Sequence, residues 1–207
     1  MKMSVTRGLA ELKLLDKRIK TVMNSAAFVD FAIGEKAVNG YTSNKEYEDK
    51  VQSAYQSVKD LIKRRNDIKS AIVLSNAMTR VKIADKEYTV AEAIERKTSI
   101  QYEVQLMQKM KNEYTKAINN IQRINEEVKE ELNRKLDALY GREAKTKVDE
   151  NNELVKSYRN DNEAKMIDPL KIRHTYEKLE QEIDEFLSEV DFVLSTSNTL
   201  TEIEVPE

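Results

Sequence analysis

The chain has 207 residues, 35 of them basic and 37 acidic, for a formal net charge of −2. It has no cysteine, which excludes disulfides, thiolate nucleophiles and thiolate metal sites. Only 4 glycines and 2 prolines stand against 35% charged and 40% apolar residues, so breakers are scarce, helix formers are abundant, and a mainly α fold of long helices is predicted.

The opening Met1-Lys2-Met3-Ser4-Val5-Thr6-Arg7 lacks the apolar stretch of a signal peptide. No apolar run approaches the ~18–20 residues that a membrane-spanning helix requires. A first helix is predicted over 4–23, with Ser4 as N-cap and an apolar stripe of Val5, Leu9, Leu12, Leu15, Ile19 and Val22. Gly8 lies on the same side, where it would let another helix approach closely or is simply tolerated near a helix end. Residues 24–43 break the pattern. Phe28-Val29-Asp30-Phe31-Ala32-Ile33 is rich in strand formers, and Gly34, Asn39 and Gly40 signal turns. A short strand or irregular excursion is expected there, the alternative being that the first helix continues to Ile33.

A second helix is predicted over 44–76. Its stripe is Tyr47, Val51, Ala54, Val58, Leu61, Arg65, Ile68 and Ile72, a heptad seam with one charged intruder. A buried arginine needs an acidic partner, because an unpaired buried charge is costly. Asp16 sits at a comparable place on the first helix, so a buried Asp16–Arg65 pair is one expectation. Arg65 at the rim with its head in water is the other. Lys63-Arg64-Arg65 is too short a basic run to imply a polyanion, and no nucleic-acid partner is expected.

Val81 and Ile83 alternate with polar residues before Ala84-Asp85-Lys86 turns the chain, which predicts a hairpin over 80–89. Thr89 and Glu92 have the spacing of a capping box and start a third helix at Val90. It is predicted to run to about Tyr140, with Gly141 as its C-terminal cap. Fifty residues at ~1.5 Å each would make a rod of roughly 75 Å. Met107, Met110, Tyr114, Ala117, Ile121, Ile124 and Val128 form its seam, and the later shift to Leu132 and Leu136 predicts a kink or a change of partner near Val128.

A weaker helix is expected over 142–164, with the stripe Ala144, Val148, Asn151, Val155 and Tyr158. Asp168-Pro169 then resembles an N-cap followed by a first-turn proline, opening a last helix over 169–194. This last helix carries the most regular seam: Ile172, Tyr176, Leu179, Ile183, Phe186, Val190 and Val193. The first six are the candidate interaction seam. Residues 199–205 alternate at period two, and a strand there is expected to join the 80–89 hairpin in a three-stranded patch. The fold expected is a single elongated domain over 1–207: an antiparallel long-helix bundle or coiled coil with a small hairpin and a C-terminal strand.

Chemistry finds little footing in this pattern. His174 is the one histidine and lies off the main seam, so it reads as a surface residue. Zinc sites want several Cys or His ligands, calcium-loop spacing does not occur, and isolated glycines cannot cradle phosphate. The expectation is no enzyme, no cofactor and no metal.

Two stretches, Asp60-Leu61-Ile62-Lys63-Arg64-Arg65-Asn66 and Glu87-Tyr88-Thr89-Val90-Ala91-Glu92-Ala93-Ile94-Glu95-Arg96-Lys97, with Ser75-Asn76-Ala77 between them, resemble a group of phage and prophage helical proteins. More remotely, the chain is similar to the septicolysin-like bacterial family, whose members share a helix, a turn, a short hairpin and a Thr-led helix. The closing Asn198-Thr199-Leu200-Thr201-Glu202 also resembles that family's ending. The resemblance covers about 44–110 and 168–205 and carries over no catalytic residue. Long heptad seams with interspersed charges suit a structural or assembly protein that self-associates or docks on a larger complex, in the host cytoplasm or the virion. One alternative is a phage-encoded inhibitor of a host defence protein. The other is an oligomerising lytic protein, for which the sequence shows no exposed apolar segment suited to membranes.

Overall fold

The structure, a computed structural model, describes residues 1–145 and 152–206. Where the sequence predicts one domain, the chain gathers into two compact units: Met1–Thr98 with Phe186–Glu207, and Ser99–Glu185. In chain order the elements are β1 (Lys2–Ser4), α1 (Val5–Ser25), α2 (Asn44–Met78), β2 (Arg80–Ile83), β3 (Lys86–Thr89), α3 (Val90–Lys145), α4 (Glu153–Asn162), α5 (Ile172–Leu200) and β4 (Glu202–Glu204). The mainly α class holds, with long antiparallel helix contacts and two small two-stranded sheets among the described residues.

In the first unit α1 and α2 run antiparallel, and the Ser4 hydroxyl accepts from the Arg7 amide to cap α1. Their shared core is Met3, Val5, Leu12, Leu15, Ile68, Ile72, Ile203 and Val205. Gly8 permits the close approach, since a Cβ there would lie 3.1 Å from Ile203 Cδ1 and 3.2 Å from Ile72 Cδ1.

The C-terminal strand corrects one expectation. β4 pairs antiparallel with β1, setting Met3 opposite Ile203, and does not join the hairpin. Helix α5 extends to Leu200 instead of 194, and the strand that follows is confined to the three residues Glu202–Glu204. Those three place Ile203 over the same core that Met3 covers from the other end of the chain. The termini are clasped further: the Met1 amino group donates to the Val205 carbonyl at 2.8 Å, and Val205 N–H donates back to Met1 at 3.0 Å. Arg64 adds a third tie, donating to Glu11 at 3.0 Å and to the Pro206 carbonyl at 2.8 Å.

The hairpin packs elsewhere. Ala84 and Asp85 turn it with positive φ of 48° and 60°, the geometry that matches the twist of a two-residue hairpin. Ile83 is buried, Tyr88 meets Phe186 edge-on at 5.8 Å, and the Ala84 amide donates to Glu189 at 2.9 Å. At its exit the capping box is complete: Glu92 accepts from the Thr89 amide at 2.7 Å, and Thr89 accepts from the Glu92 amide at 3.1 Å. The Thr89 amide, then its hydroxyl, hold the Glu92 carboxyl below the usual carboxylate range. Lys97 pairs with Asp191, and the Arg96 guanidinium lies over the Phe186 ring.

In the second unit α3 meets α5 through Tyr114 against Tyr176 and Lys111 against Glu180 at 3.1 Å. Further along, Asn125 exchanges two hydrogen bonds with Ala164, and Leu132 and Leu136 pack on Val155 and Tyr158 of α4. The seam from Met107 to Val128 is half-buried throughout. No kink occurs near Val128. The only non-helical position inside α3 is Gly141, at φ 74°. The shift in the apolar pattern is instead a change of partner, from α5 to α4.

Two boundaries move. Of the helix expected over 142–164, α4 is Glu153–Asn162, while Val148, Asn151 and the side chain of Ala144 lie outside the described residues. Asp168 is not an N-cap at the residue before α5. Pro169 and Leu170 turn, Lys171 takes a positive φ of 50°, and helix begins at Ile172. The Asp168 carboxylate reaches past that turn to accept from the Ile172 amide at 2.9 Å.

Candidate interaction surface

The charged intruder of α2 meets its expected partner, but at the surface. Arg65 Nε donates to Asp16 Oδ1 at 2.6 Å, with the two side chains 37% and 49% exposed. The pair therefore sits at the rim of the α1–α2 contact rather than inside it, and exposed ion pairs contribute little to stability. The candidate seam of α5 lies within the chain. Tyr176, Ile183, Phe186 and Val190 are buried, while Ile172 and Leu179 are half-buried. It packs this chain's own helices and offers little to a partner. His174 is exposed on α5. Among the described residues, no group of three His, Cys, Asp or Glu converges as a metal cluster. No helix there is long and apolar enough to cross a membrane.

The surface that stands apart is the connection between α1 and α2. Helix α1 ends because Ser25 turns its hydroxyl onto the Val22 carbonyl at 3.1 Å while Ala26 adopts an extended conformation. From there to Ser43 the chain is neither helix nor strand, so the irregular alternative is the correct one. The Asp30 carboxylate accepts from the Phe31 amide at 2.8 Å, and the Lys36 amide closes a turn onto Ile33 at 3.2 Å through Gly34, φ 62°. Along this segment Val29 is 86% exposed, Phe31 74%, Ile33 71% and Phe28 41%. An exposed apolar segment therefore does exist, contrary to expectation.

Both feet of the segment are pinned. The Tyr47 hydroxyl donates to the Ala27 carbonyl at 3.1 Å. Val38 is buried and donates its N–H to Asn44 Oδ1 at 3.0 Å. Tyr41 packs edge-on against Tyr47 at 5.2 Å, with the Lys50 ammonium 4.9 Å above the Tyr41 ring. The start of α2 is capped as firmly. Ser43 accepts from the Glu46 amide at 3.2 Å, and Glu46 accepts from the Thr42 hydroxyl at 2.5 Å and the Thr42 amide at 3.0 Å. The Thr42 hydroxyl, then its amide, hold the Glu46 carboxyl below the usual range.

Beside the first foot lies a cleft of about 400 Å³. Val22, Ala26 and Ala27 form one wall, Val51 and Ala54 the other, and Lys50 is its one charged lining residue. The sequence singled out the strand formers of 28–33 but carried no sign of this cleft, because its walls come from residues 22–27 and 41–57 brought together by the antiparallel pairing of α1 and α2.

No family model, no curated protein and no solved structure matches this chain.

Proposed function

We propose that this chain is a non-enzymatic assembly protein that works by self-association through protein–protein contacts. The observation that carries the reading is the segment 28–33, where Val29, Phe31 and Ile33 stand more than two thirds exposed on a stretch of chain held at both ends. Exposed apolar side chains scattered singly need no explanation, but four within six residues form a patch of the kind that marks a contact surface. Pinned feet also matter. A segment already ordered loses less conformational freedom on docking than a floppy one, so more of its apolar burial remains as affinity. The resemblance of 60–66 and 87–97 to phage and prophage helical proteins supports reading such an assembly as part of a phage particle or of the path to one.

Light scattering on the purified full chain over a concentration series tests the reading. The expected result is a mass above that of one chain, rising with concentration. A mass of one chain at every concentration would sink it.

A further inference from the structure

We infer that the 28–33 segment is a hook that docks in the cleft beside Ala27 of a second copy of this chain, so that two copies exchange hooks about a two-fold axis. The inference rests on the assembly reading and names its contact. Three observations converge on a second copy. First, knob and hole belong to one short stretch of chain: the exposed Phe31 lies four residues from Ala27, which lines the cleft. A two-fold interface requires a surface complementary to itself, in which one copy's knob enters the other's hole and the reverse. Second, the charges match. Asp30 is the only charged residue of the hook, and Lys50 is the only charged residue lining the cleft. Third, the size fits. Pockets that hold small ligands run to roughly 300–1,000 Å³, and a cleft of about 400 Å³ accepts one aromatic side chain with room for its neighbours.

The hook does not occupy its own cleft: Phe31 and Ile33 stand 74% and 71% exposed, while the Tyr47 hydroxyl ties the chain to the fold at Ala27. A lipid surface is the competing occupant for exposed aromatics, yet the single charge on the hook is acidic, which suits an anionic leaflet poorly. Each buried aromatic contributes ~150–250 Å² and stable dimers bury ~1,200–2,000 Å² in total, so exchanged hooks lie at the low end and the dimer is weak and concentration-dependent.

The test uses the full chain with two surface variants. Phe31→Ser removes the knob. Ser57→Trp fills the cleft from an exposed position that lines it. Each variant alone is expected to weaken dimerisation by roughly thirtyfold or more, the mark of a central aromatic anchor, with an unchanged melting temperature. Mixed together they are expected to form a one-to-one heterodimer, because the Ser57→Trp copy keeps a hook and the Phe31→Ser copy keeps an open cleft. A charge swap gives an independent check: Asp30→Lys and Lys50→Asp each weaken the dimer, and the double variant restores it. If the parent chain oligomerises and neither variant changes its affinity, the hook exchange is overturned while the assembly reading stands. If the parent is a single chain throughout, both fall. If instead the parent floats with phosphatidylcholine vesicles and Phe31→Ser releases it, the hook belongs to a lipid surface and the dimer is overturned.

Discussion

The two ends of α1 pose the same problem and solve it differently. At each end the helix is continued by a short stretch that includes β-branched or other apolar residues. At the N-terminal end, Met3 and Ile203 meet across a two-stranded pair and are almost fully covered. At the C-terminal end, Val29, Phe31 and Ile33 find no second strand and remain in water. What separates them is the supply of a partner. The chain's own terminus returns to cover the first stretch, and nothing in the described residues returns to cover the second. A two-residue or three-residue strand is stable only when something packs on it, so the first end adds to the core and the second is left for contacts beyond the chain.

One substitution placed at both ends gives the widest separation. Ile203→Asp puts an unpaired carboxylate into the α1–α2 core, where Ile203 is 3% exposed. It should cost several kcal/mol, on the order of 3–5. Ile33→Asp, with the residue 71% exposed, should change folding stability by less than ~0.5 kcal/mol. Urea denaturation of both variants checks this, and equal losses would erase the distinction between the two ends.

The next effect is smaller and probes the covered end alone. Gly8→Leu forces a branched side chain against Ile203 and Ile72 and should cost about 1–3 kcal/mol by overpacking. Gly8→Ala should be close to neutral. Its Cβ meets the terminal methyls of two flexible side chains, with Ile68 at an ordinary 3.5 Å, and alanine regains up to ~1 kcal/mol of helix propensity over glycine. A melting-temperature series of glycine, alanine and leucine at this position reads the room between the elements directly.

How far these differences can be read in the sequence depends on how local the cause is. The Thr89–Glu92 cap, the Ala84-Asp85 turn and the Gly141 break each rest on a few adjacent residues, and each stands where the residue pattern puts it. Seam positions of α2 and α5 are legible for the same reason, since a period of three and four shows in any stretch of helix. The strand at Glu202–Glu204 is legible in its period-two alternation, but its partner is not, because the three residues Lys2–Ser4 carry too little alternation to announce a strand. The phase change after Val128 was legible as a change but not as its cause. A kink and a switch of neighbouring helix leave the same trace in the apolar spacing. The candidate surface divides likewise: the apolar character of 28–33 is written in the chain, while its exposure and the adjoining cleft depend on what α1 and α2 bring together.

The two serine caps sharpen the contrast at a level of about 1 kcal/mol each. Ser4→Ala removes the acceptor for the Arg7 amide, and Ser43→Ala removes the acceptor for the Glu46 amide. Both should cost ~0.5–2 kcal/mol of stability by thermal melting. Their local consequences should differ. Ser43 is at the second foot of the exposed segment, so its loss should speed chymotryptic cleavage after Phe28 and Phe31, while Ser4→Ala should not. Equal cleavage in the two variants would mean that the segment opens independently of its foot.

The smallest effect runs in opposite directions with pH. At the covered end, Lys2 pairs with Glu204 across the strands at 3.1 Å, and that hydrogen bond, together with the carboxylate charge, raises the lysine above its ordinary range. A raised folded value means that the contribution is complete below the ordinary lysine range and is lost as pH rises through the raised value. At the open end, Glu46 is lowered by Thr42, so its contribution is complete above the ordinary carboxylate range and is lost as pH falls through the depressed value. Strong acid should therefore loosen the foot of the hook. Strong alkali should loosen the strand pair and spare the foot. Both groups are exposed, so the changes are small and screened by salt. Amide exchange at Thr42 and at Val205, followed across pH in the parent and in Glu46→Gln, separates them: Glu46→Gln should abolish the acid-side change in protection at Thr42 and leave Val205 as it was.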